Sequence, residues 1–276
     1  MARLLDRCCV VLVRTQGPVN LGMVARACGN LGVTDLRLVA PECEVNCPDA
    51  RKFSTHSREL ILNAPVHADL GAALQDCDLA IGSSARNRDS EYGRGMGLHQ
   101  VPALVAERAA RKVALVFGNE ADGLNDAELI LCQAWMHLDT CGPNTSYNLS
   151  HAVAITLYGL ATSADLVPAA VAPPATRQQV DLLYHYWLGS LERFQYFRRT
   201  ERDRFAPQLR RLFNRLDLGE HEVQVLWGML SQFNVFAFGD RGLLPGSPEP
   251  GPAPAEQAAG SLAPVTGPVQ EGGDKR

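Results

Sequence analysis

The sequence predicts an α/β protein: a mostly parallel sheet first, an all-helical extension after it, and a disordered tail at the end. Three observations predict this. Short β-branched apolar runs alternate with segments of helical periodicity as far as residue 160, the pattern of a parallel sheet covered on both faces. Two of those runs end in Gly-, Asn- and Ser-rich loops that each lead into a helix, and in open α/β sheets ligands bind at the carboxyl ends of strands. After a Pro/Ala-rich stretch only helical periodicity remains, and the last residues are rich in Pro, Gly, Ala and Glu. These shifts divide the chain into 1–162, a linker at 163–176, a helical extension at 177–239 and a tail at 240–276.

Residues 8–14 read as a β-branched strand, ended by Gly17-Pro18. Leu21, Val24, Cys28 and Leu31 then recur three and four apart, a helix with Asn20 as its N-cap and Gly32 at its end. Arg26 falls outside that apolar stripe. A second strand at 35–40 is stopped by Pro41, and 43–64 is a less regular connection with one helix around 57–63. A short helix at 69–76 leads to a third strand at 78–84. The loop after it is basic and glycine-rich, but its Gly-Arg-Gly-Met-Gly lacks both the preceding strand and the spacing of a dinucleotide fingerprint. A helix at 102–110 precedes the run VALVFG (113–118), a loop feeding an amphipathic helix, the run WMHLD (135–139), and a polar loop that enters a last helix near residue 149. The extension holds three or four helices. Leu209, Leu212, Phe213 and Leu216 form one apolar stripe there, and Val223, Leu226, Trp227 and Leu230 another.

With 276 residues, 46% of them hydrophobic and 20% charged, the composition is that of a soluble globular protein. No apolar run approaches the roughly 20 residues needed to span a bilayer. The N-terminal run reads as a strand rather than a signal peptide, so a cytoplasmic protein with no membrane partner is expected. Most of the eight cysteines lie in or beside apolar runs, as small buried hydrophobes do. Only Cys43-x3-Cys47 with His56 hints at zinc, and no second pair completes a tetrahedral set, so no metal is expected. A net charge of −4 does not mark a nucleic-acid binder. Between residues 193 and 215, however, eight arginines stand against Glu201 and Asp203, interleaved with five Phe and Tyr residues. Charge alone leaves open whether this is a solvated helix face or a phosphate-binding one.

Three clusters lie beside strand ends: Asn20-x-Gly22-x-x-x-Arg26, then Phe117-Gly118-Asn119-Glu120-x-x-Gly123-Leu124, then Asn144-Thr145-Ser146-Tyr147-Asn148-Leu149-Ser150. Singly, each has a structural reading: a helix cap with a surface arginine, turn glycines, and a polar N-cap. In this order they resemble the three motifs of the SpoU-type branch of the SPOUT methyltransferases, over roughly residues 8–160. LRRLFNR at 209–215, followed by EVQVLWGML, is similar to the helical extension of bacterial tRNA ribose 2′-O-methyltransferases of that branch.

The resemblance implies a trefoil-knotted fold, S-adenosyl-L-methionine as cofactor, and a tRNA substrate methylated on a cytidine or uridine ribose at the start of the anticodon loop. It implies a homodimer whose sites use both protomers, and no DNA partner. By motif, Arg26 activates the 2′-hydroxyl, Ser146 and Asn148 arrange the site near the acceptor ribose, and Asn20 holds the loop around Arg26. A guanidinium is almost never deprotonated, so Arg26 either accepts the proton or stabilises the alkoxide and grips a phosphate. The cofactor pocket is expected at Ser83, Ala85, Leu115, Gly118, Glu120, Gly123, Leu138 and Tyr147, with Glu120 equally placed to cap the following helix or pair with an arginine. RNA contacts are expected at Arg86, Arg198, Arg199, Arg202, Arg210 and Arg211, with the leucines of LRRLF packed inward and its arginine pair exposed. The chain departs from the family at Tyr147, where leucine is usual, and at His151, where a small or apolar residue is common. Ribosomal RNA as substrate and a non-catalytic RNA-binding role stay open. A nicotinamide-dependent enzyme would need a glycine fingerprint after the first strand, and GPVNLGMVAR does not supply one.

Overall fold

The computed structural model describes residues 3–85, 94–163, 174–198 and 201–242. Arg86, Arg199 and all but the first three residues of the expected tail lie outside the described residues. The strands are β1 (Cys8–Val13), β2 (Leu36–Val39), β3 (Val66–His67), β4 (Leu79–Ser83), β5 (Arg94–Gly97), β6 (Val113–Phe117) and β7 (Ala134–His137). They form one sheet in the order β3-β2-β1-β6-β4-β7-β5, and every pairing is parallel. Val10 of β1 is in register with Leu36 of β2 on one side and Leu115 of β6 on the other.

The helices of this part are α1 (Pro18–Leu31), α2 (Pro48–Ser54), α3 (Arg58–Leu62), α4 (Leu70–Ala73), α5 (Val101–Glu107), α6 (Asp126–Leu129) and α7 (Leu149–Ala161). Both sheet faces are covered. Alternate residues of β1 show this: Cys8, Val10 and Leu12 pack with α1, α5 and α7, while Cys9, Val11 and Val13 pack with α4 and α6. All six are buried, which is why β1 reads as a continuous apolar run rather than an alternating one.

After residue 174 the chain forms α8 (Arg177–Arg193), α9 (Arg202–Arg215) and α10 (Glu220–Phe238) around their own core, where the rings of Tyr186 and Trp227 lie 4.6 Å apart. This part docks on the α/β part through buried polar groups. The N–H of Arg177 donates to the carbonyl of Cys77 at 2.8 Å, and the Asn214 side chain donates to the carbonyl of Ile130 at 2.7 Å. No helix among the described residues is long and apolar enough to cross a membrane.

Several elements differ from the sequence reading. The Gly-Arg-Gly-Met-Gly stretch contributes an edge strand, β5, because backbone pairing with β7 outweighs the poor strand propensity of glycine. The helix α2, started by Pro48, lies in the stretch read as irregular, and the two-residue β3 falls just after it, where no element was expected. Asn20 is not an N-cap. The helix begins at Pro18 with Gly17 as cap, so Asn20 sits inside the first turn with its side chain free for tertiary use. Leu212 and Leu216 are 42% and 46% exposed, outside the α9 core stripe of Leu209 and Phe213. The expected tail begins too early at 240: Arg193 pairs with Asp240, and the hydroxyl of Tyr186 donates to the carbonyl of Arg241.

Candidate active site

The carboxyl ends of β6, β4 and β7, three neighbours in the sheet, open into a cavity of about 420 Å³. Its walls are Ser83, Ser84 and Ala85 after β4, residues 117–124 after β6, Leu138 after β7, and residues 145–149 leading into α7. The second and third motifs thus meet here although they are far apart in sequence.

The loop after β6 has its shape from two glycines with different reasons. A Cβ on Gly118 would lie 2.0 Å from the carbonyl carbon of Gly123, so only glycine permits the loop to fold back on itself. Gly123 has φ +72° with open space around it, so there the backbone conformation, not crowding, favours glycine. Asn119 closes the turn by accepting from the N–H of Asp122 at 2.7 Å.

Glu120 joins this loop to the first motif. Its carboxylate accepts from the N–H groups of Gln16 and Gly17 at 2.9 and 3.0 Å and from the Asn20 side chain at 2.8 Å. Two of these donors lie at the open N-terminal end of α1. Glu120 therefore caps a helix 100 residues earlier; it neither caps the following helix nor pairs with an arginine. Burial pushes its carboxyl up, but the hydrogen bonds from Asn20, Gln16 and Gly17 outweigh that and hold it below the ordinary glutamate value.

Asn20 carries the connection onward. Its side-chain oxygen accepts from the Asn148 amide at 3.0 Å, and Asn148 in turn accepts from the N–H and hydroxyl of Ser150 at 2.9 and 2.7 Å. Glu120, Asn20, Asn148 and Ser150 form one chain of hydrogen bonds through all three motifs. Ser146 is exposed on the cavity wall, and the hydroxyl of Tyr147 donates to the carbonyl of Asp139 at 3.1 Å.

Of the expected cofactor residues, Ser83, Ala85, Gly118, Glu120, Gly123, Leu138 and Tyr147 line the cavity. Leu115 does not. It is fully buried in the middle of β6 and packs in the core beneath α1 and α7, two residues short of the strand end that opens on the cavity. Arg26 is not among the lining residues either. It is exposed on α1, about 9 Å further along the helix axis than Asn20, and makes no hydrogen bond or ion pair among the described residues.

The expected RNA-binding arginines fare differently. Arg210 is 6% exposed, pairs with Asp181, and lies over the ring of Tyr184 at 3.9 Å. It is a core ion pair, not a phosphate contact; within LRRLF, Leu209 packs inward as expected, whereas Arg210 is buried and Leu212 lies outside. Arg211 is half-buried, and Arg202 is exposed but held by Glu192. Arg198 ends a short 3₁₀ turn.

Sequence reasoning missed Arg14 and Glu128. Arg14, just past β1 at φ +53°, grips the Glu128 carboxylate with two hydrogen bonds of 2.7 and 2.9 Å and donates to the carbonyl of Gly123 at 3.1 Å. It braces the cavity loop from behind. Glu128 was findable as the third residue after Asn125, a capping box that the structure contains. Nothing local signals Arg14, whose partner is 114 residues away.

Comparison with known proteins agrees with this geometry. Residues 7–158 match the SpoU rRNA Methylase family, and residues 178–241 match the C-terminal domain of the tRNA methyltransferase TrmJ. The chain is 32% identical over 236 residues to the tRNA (cytidine/uridine-2'-O-)-methyltransferase TrmJ of Sodalis glossinidius, covering 80% of this chain and 89% of that one. It is 32% identical to TrmJ of Salmonella typhimurium, over 80% of this chain and 94% of that one. The crystal structure of TrmJ from Z. mobilis ZM4 superposes with a TM-score of 0.73 at 25% identity, covering 82% of this chain and 98% of that one. With SpoU motifs joined in one hydrogen-bonded site and the helical domain of TrmJ following the sheet, the chain belongs to the SpoU methylase family and, within it, to the TrmJ group.

Proposed function

We propose that this protein is an S-adenosylmethionine-dependent tRNA ribose 2′-O-methyltransferase acting on a cytidine or uridine at the start of the anticodon loop. The observation that carries the reading is the hydrogen-bond chain from Glu120 through Asn20 to Asn148, which ties both walls of the cavity to the helix bearing Arg26. The match of residues 178–241 to the TrmJ helical domain favours tRNA over ribosomal RNA.

The cavity fits the cofactor. Its volume of about 420 Å³ lies within the range of small-molecule sites, and it offers apolar walls at Ala85, Leu124, Leu138 and Leu149 beside loop backbone. When bound, S-adenosylmethionine supplies an electrophilic methyl group on a sulfonium. The residues around it have the remaining tasks. Gly118 and Gly123 let the loop backbone come close, and Arg14 braces that loop. Ser146 and Asn148 orient the ribose, with Asn148 held by Asn20 and Ser150. Arg26 stabilises negative charge developing on the 2′-oxygen and holds an adjacent phosphate, work that a permanently charged guanidinium does without losing its proton.

Arg26 does not line the cavity of its own chain, which fits a homodimer in which α1 of one protomer serves the cavity of its partner. A trefoil knot and this homodimer are part of the proposal, as is a cytoplasmic location with the tRNA substrate.

The test is methyl transfer itself. The purified protein is given tritium-labelled S-adenosylmethionine with tRNA or ribosomal RNA from a strain lacking the gene, and the product is mapped by nuclease digestion. Label in a 2′-O-methyl nucleotide of tRNA is the expected result. Label only in ribosomal RNA overturns the substrate and keeps the chemistry. Cofactor binding without transfer to either RNA overturns the catalytic reading.

A further inference from the structure

Part of the basic segment first expected to hold RNA is consumed within the fold. Arg210 is buried on Asp181 and Tyr184, and Arg202 is paired with Glu192. Another exposed basic set has no acidic partner among the described residues. Lys52, His56 and Arg58, on α2, the turn after it and α3, are exposed and make no ion pair among the described residues, and the Lys52 ammonium lies over the Phe53 ring at 5.8 Å. Arg51 is exposed beside them, its guanidinium donating to the Asn46 carbonyl at 2.8 Å with no carboxylate partner among the described residues. The acids of the segment, Asp49 and Glu59, sit in the first turns of α2 and α3, where they complement the helix ends.

The segment is locked to the helix that carries Arg26. A Cβ on Gly22 would lie 2.6 Å from the carbonyl oxygen of Ala50 and 2.9 Å from Cβ of Phe53. A Cβ on Gly29 would lie 2.0 Å from the hydroxyl of Ser57. Residues 50–57 therefore run along α1 in the same direction from Gly22 to Gly29, and Arg26 lies between those two contacts. Thr55, at φ +51°, bends the segment between α2 and α3. Wherever Arg26 meets an acceptor ribose, these residues arrive with it, in its own protomer's site or in its partner's.

Resting on the tRNA methyltransferase reading, we propose that the α2–α3 segment is the grip for the RNA backbone: Lys52, His56 and Arg58 contact phosphates flanking the acceptor nucleotide, with Arg51 adding to their field. Phosphate contacts fix the position and register of a nucleic acid without reading its sequence, which suits an enzyme that must seat one ribose beside Arg26. Each such contact also releases counterions, so its loss is read in the salt dependence of binding.

The experiment measures RNA affinity over a range of salt for three proteins: wild type, Lys52→Gln/Arg58→Gln, and Arg204→Gln/Arg215→Gln, which neutralises two exposed arginines of α9. Cofactor affinity is measured alongside as a control for folding. For Lys52→Gln/Arg58→Gln the slope of log K against log salt is expected to fall by about 1.5, since each phosphate contact contributes ~0.7–0.9. Its cofactor affinity should match wild type. An unchanged slope, or a loss confined to the α9 variant, overturns the proposal. The same three proteins are measured with ribosomal RNA. Wild-type binding to that RNA alone would refute the tRNA reading while the slopes still decide the grip, and wild-type binding to neither RNA overturns both.

Discussion

Two glycines of the loop after β6 separate crowding from backbone conformation. Gly118→Ala forces a Cβ into the backbone of Gly123 and cannot be accommodated without moving the cavity wall. Gly123→Ala meets no atom but must hold φ +72°, a cost of about 1–2 kcal/mol. Calorimetric titration with S-adenosylmethionine is expected to show at least a tenfold loss for Gly118→Ala and a small one for Gly123→Ala; equal effects would contradict the close approach. Glu120 gives a pH signature. A carboxyl held below its ordinary value of 4.5 stabilises the folded state above that pH, and the contribution is lost as pH falls through the lowered pKa. Cofactor affinity of the wild type should therefore drop as the solution is acidified below ~4.5, the ordinary glutamate range. Glu120→Gln, which cannot accept from all the donors of Gln16, Gly17 and Asn20 at once, should bind more weakly at neutral pH and lack that drop. A parallel drop in both proteins would assign it to another group.

At the scale of elements, α1 is the part on which the site depends. One end is capped by Glu120, its first turn holds Asn148 through Asn20, and its length is pressed against α2 through Gly22. The glycine of the first motif is thus a helix-packing residue, and the motif's spacing reflects a crossing as well as chemistry. Gly22→Ala should push α2 off α1. Overpacking of this kind costs about 1–3 kcal/mol, less a fraction of a kcal/mol regained in helix propensity. Urea unfolding is the measurement, and a variant as stable as wild type would show that the two helices can separate freely.

Over the whole molecule, the sheet and the helical extension meet through polar groups that have little other satisfaction. Asn214 is 5% exposed; it donates to the carbonyls of Ile130 and Cys132 and accepts from Arg177, itself 1% exposed. Asn214→Ala leaves these groups unpaired, at about 1–3 kcal/mol each, and should loosen the extension. Limited proteolysis between the two parts is expected to quicken several-fold, while an unchanged cleavage rate would place the docking energy elsewhere. The proposed sharing of sites between protomers has its own test. Arg26→Ala and Asn148→Ala should each be nearly inactive alone, yet mixing after subunit exchange should restore part of the activity, because one site of the mixed dimer escapes both lesions. No recovery would mean that Arg26 serves its own chain.

The α/β class, the mostly parallel sheet, the helical extension and the loops that line the cavity were legible because they rest on local signals. Apolar periodicity marks burial, Gly and Pro mark ends, and three short motifs carry their chemistry in contiguous residues. Strands as weak as β3 and β5 were not legible, since pairing with a neighbour stabilises them and no window of sequence contains that neighbour. The same reason hid Arg14 behind the Gly123 carbonyl and made Glu120 the cap of a distant helix. It also misled the reading of charge. Arginine is counted alike in any composition, but Arg210 found Asp181 and Tyr184 in the core of the extension, whereas Lys52 and Arg58 found no acid among the described residues. Whether a charge is spent or available depends on which groups folding brings within a few ångströms, and that is a property of three-dimensional packing alone.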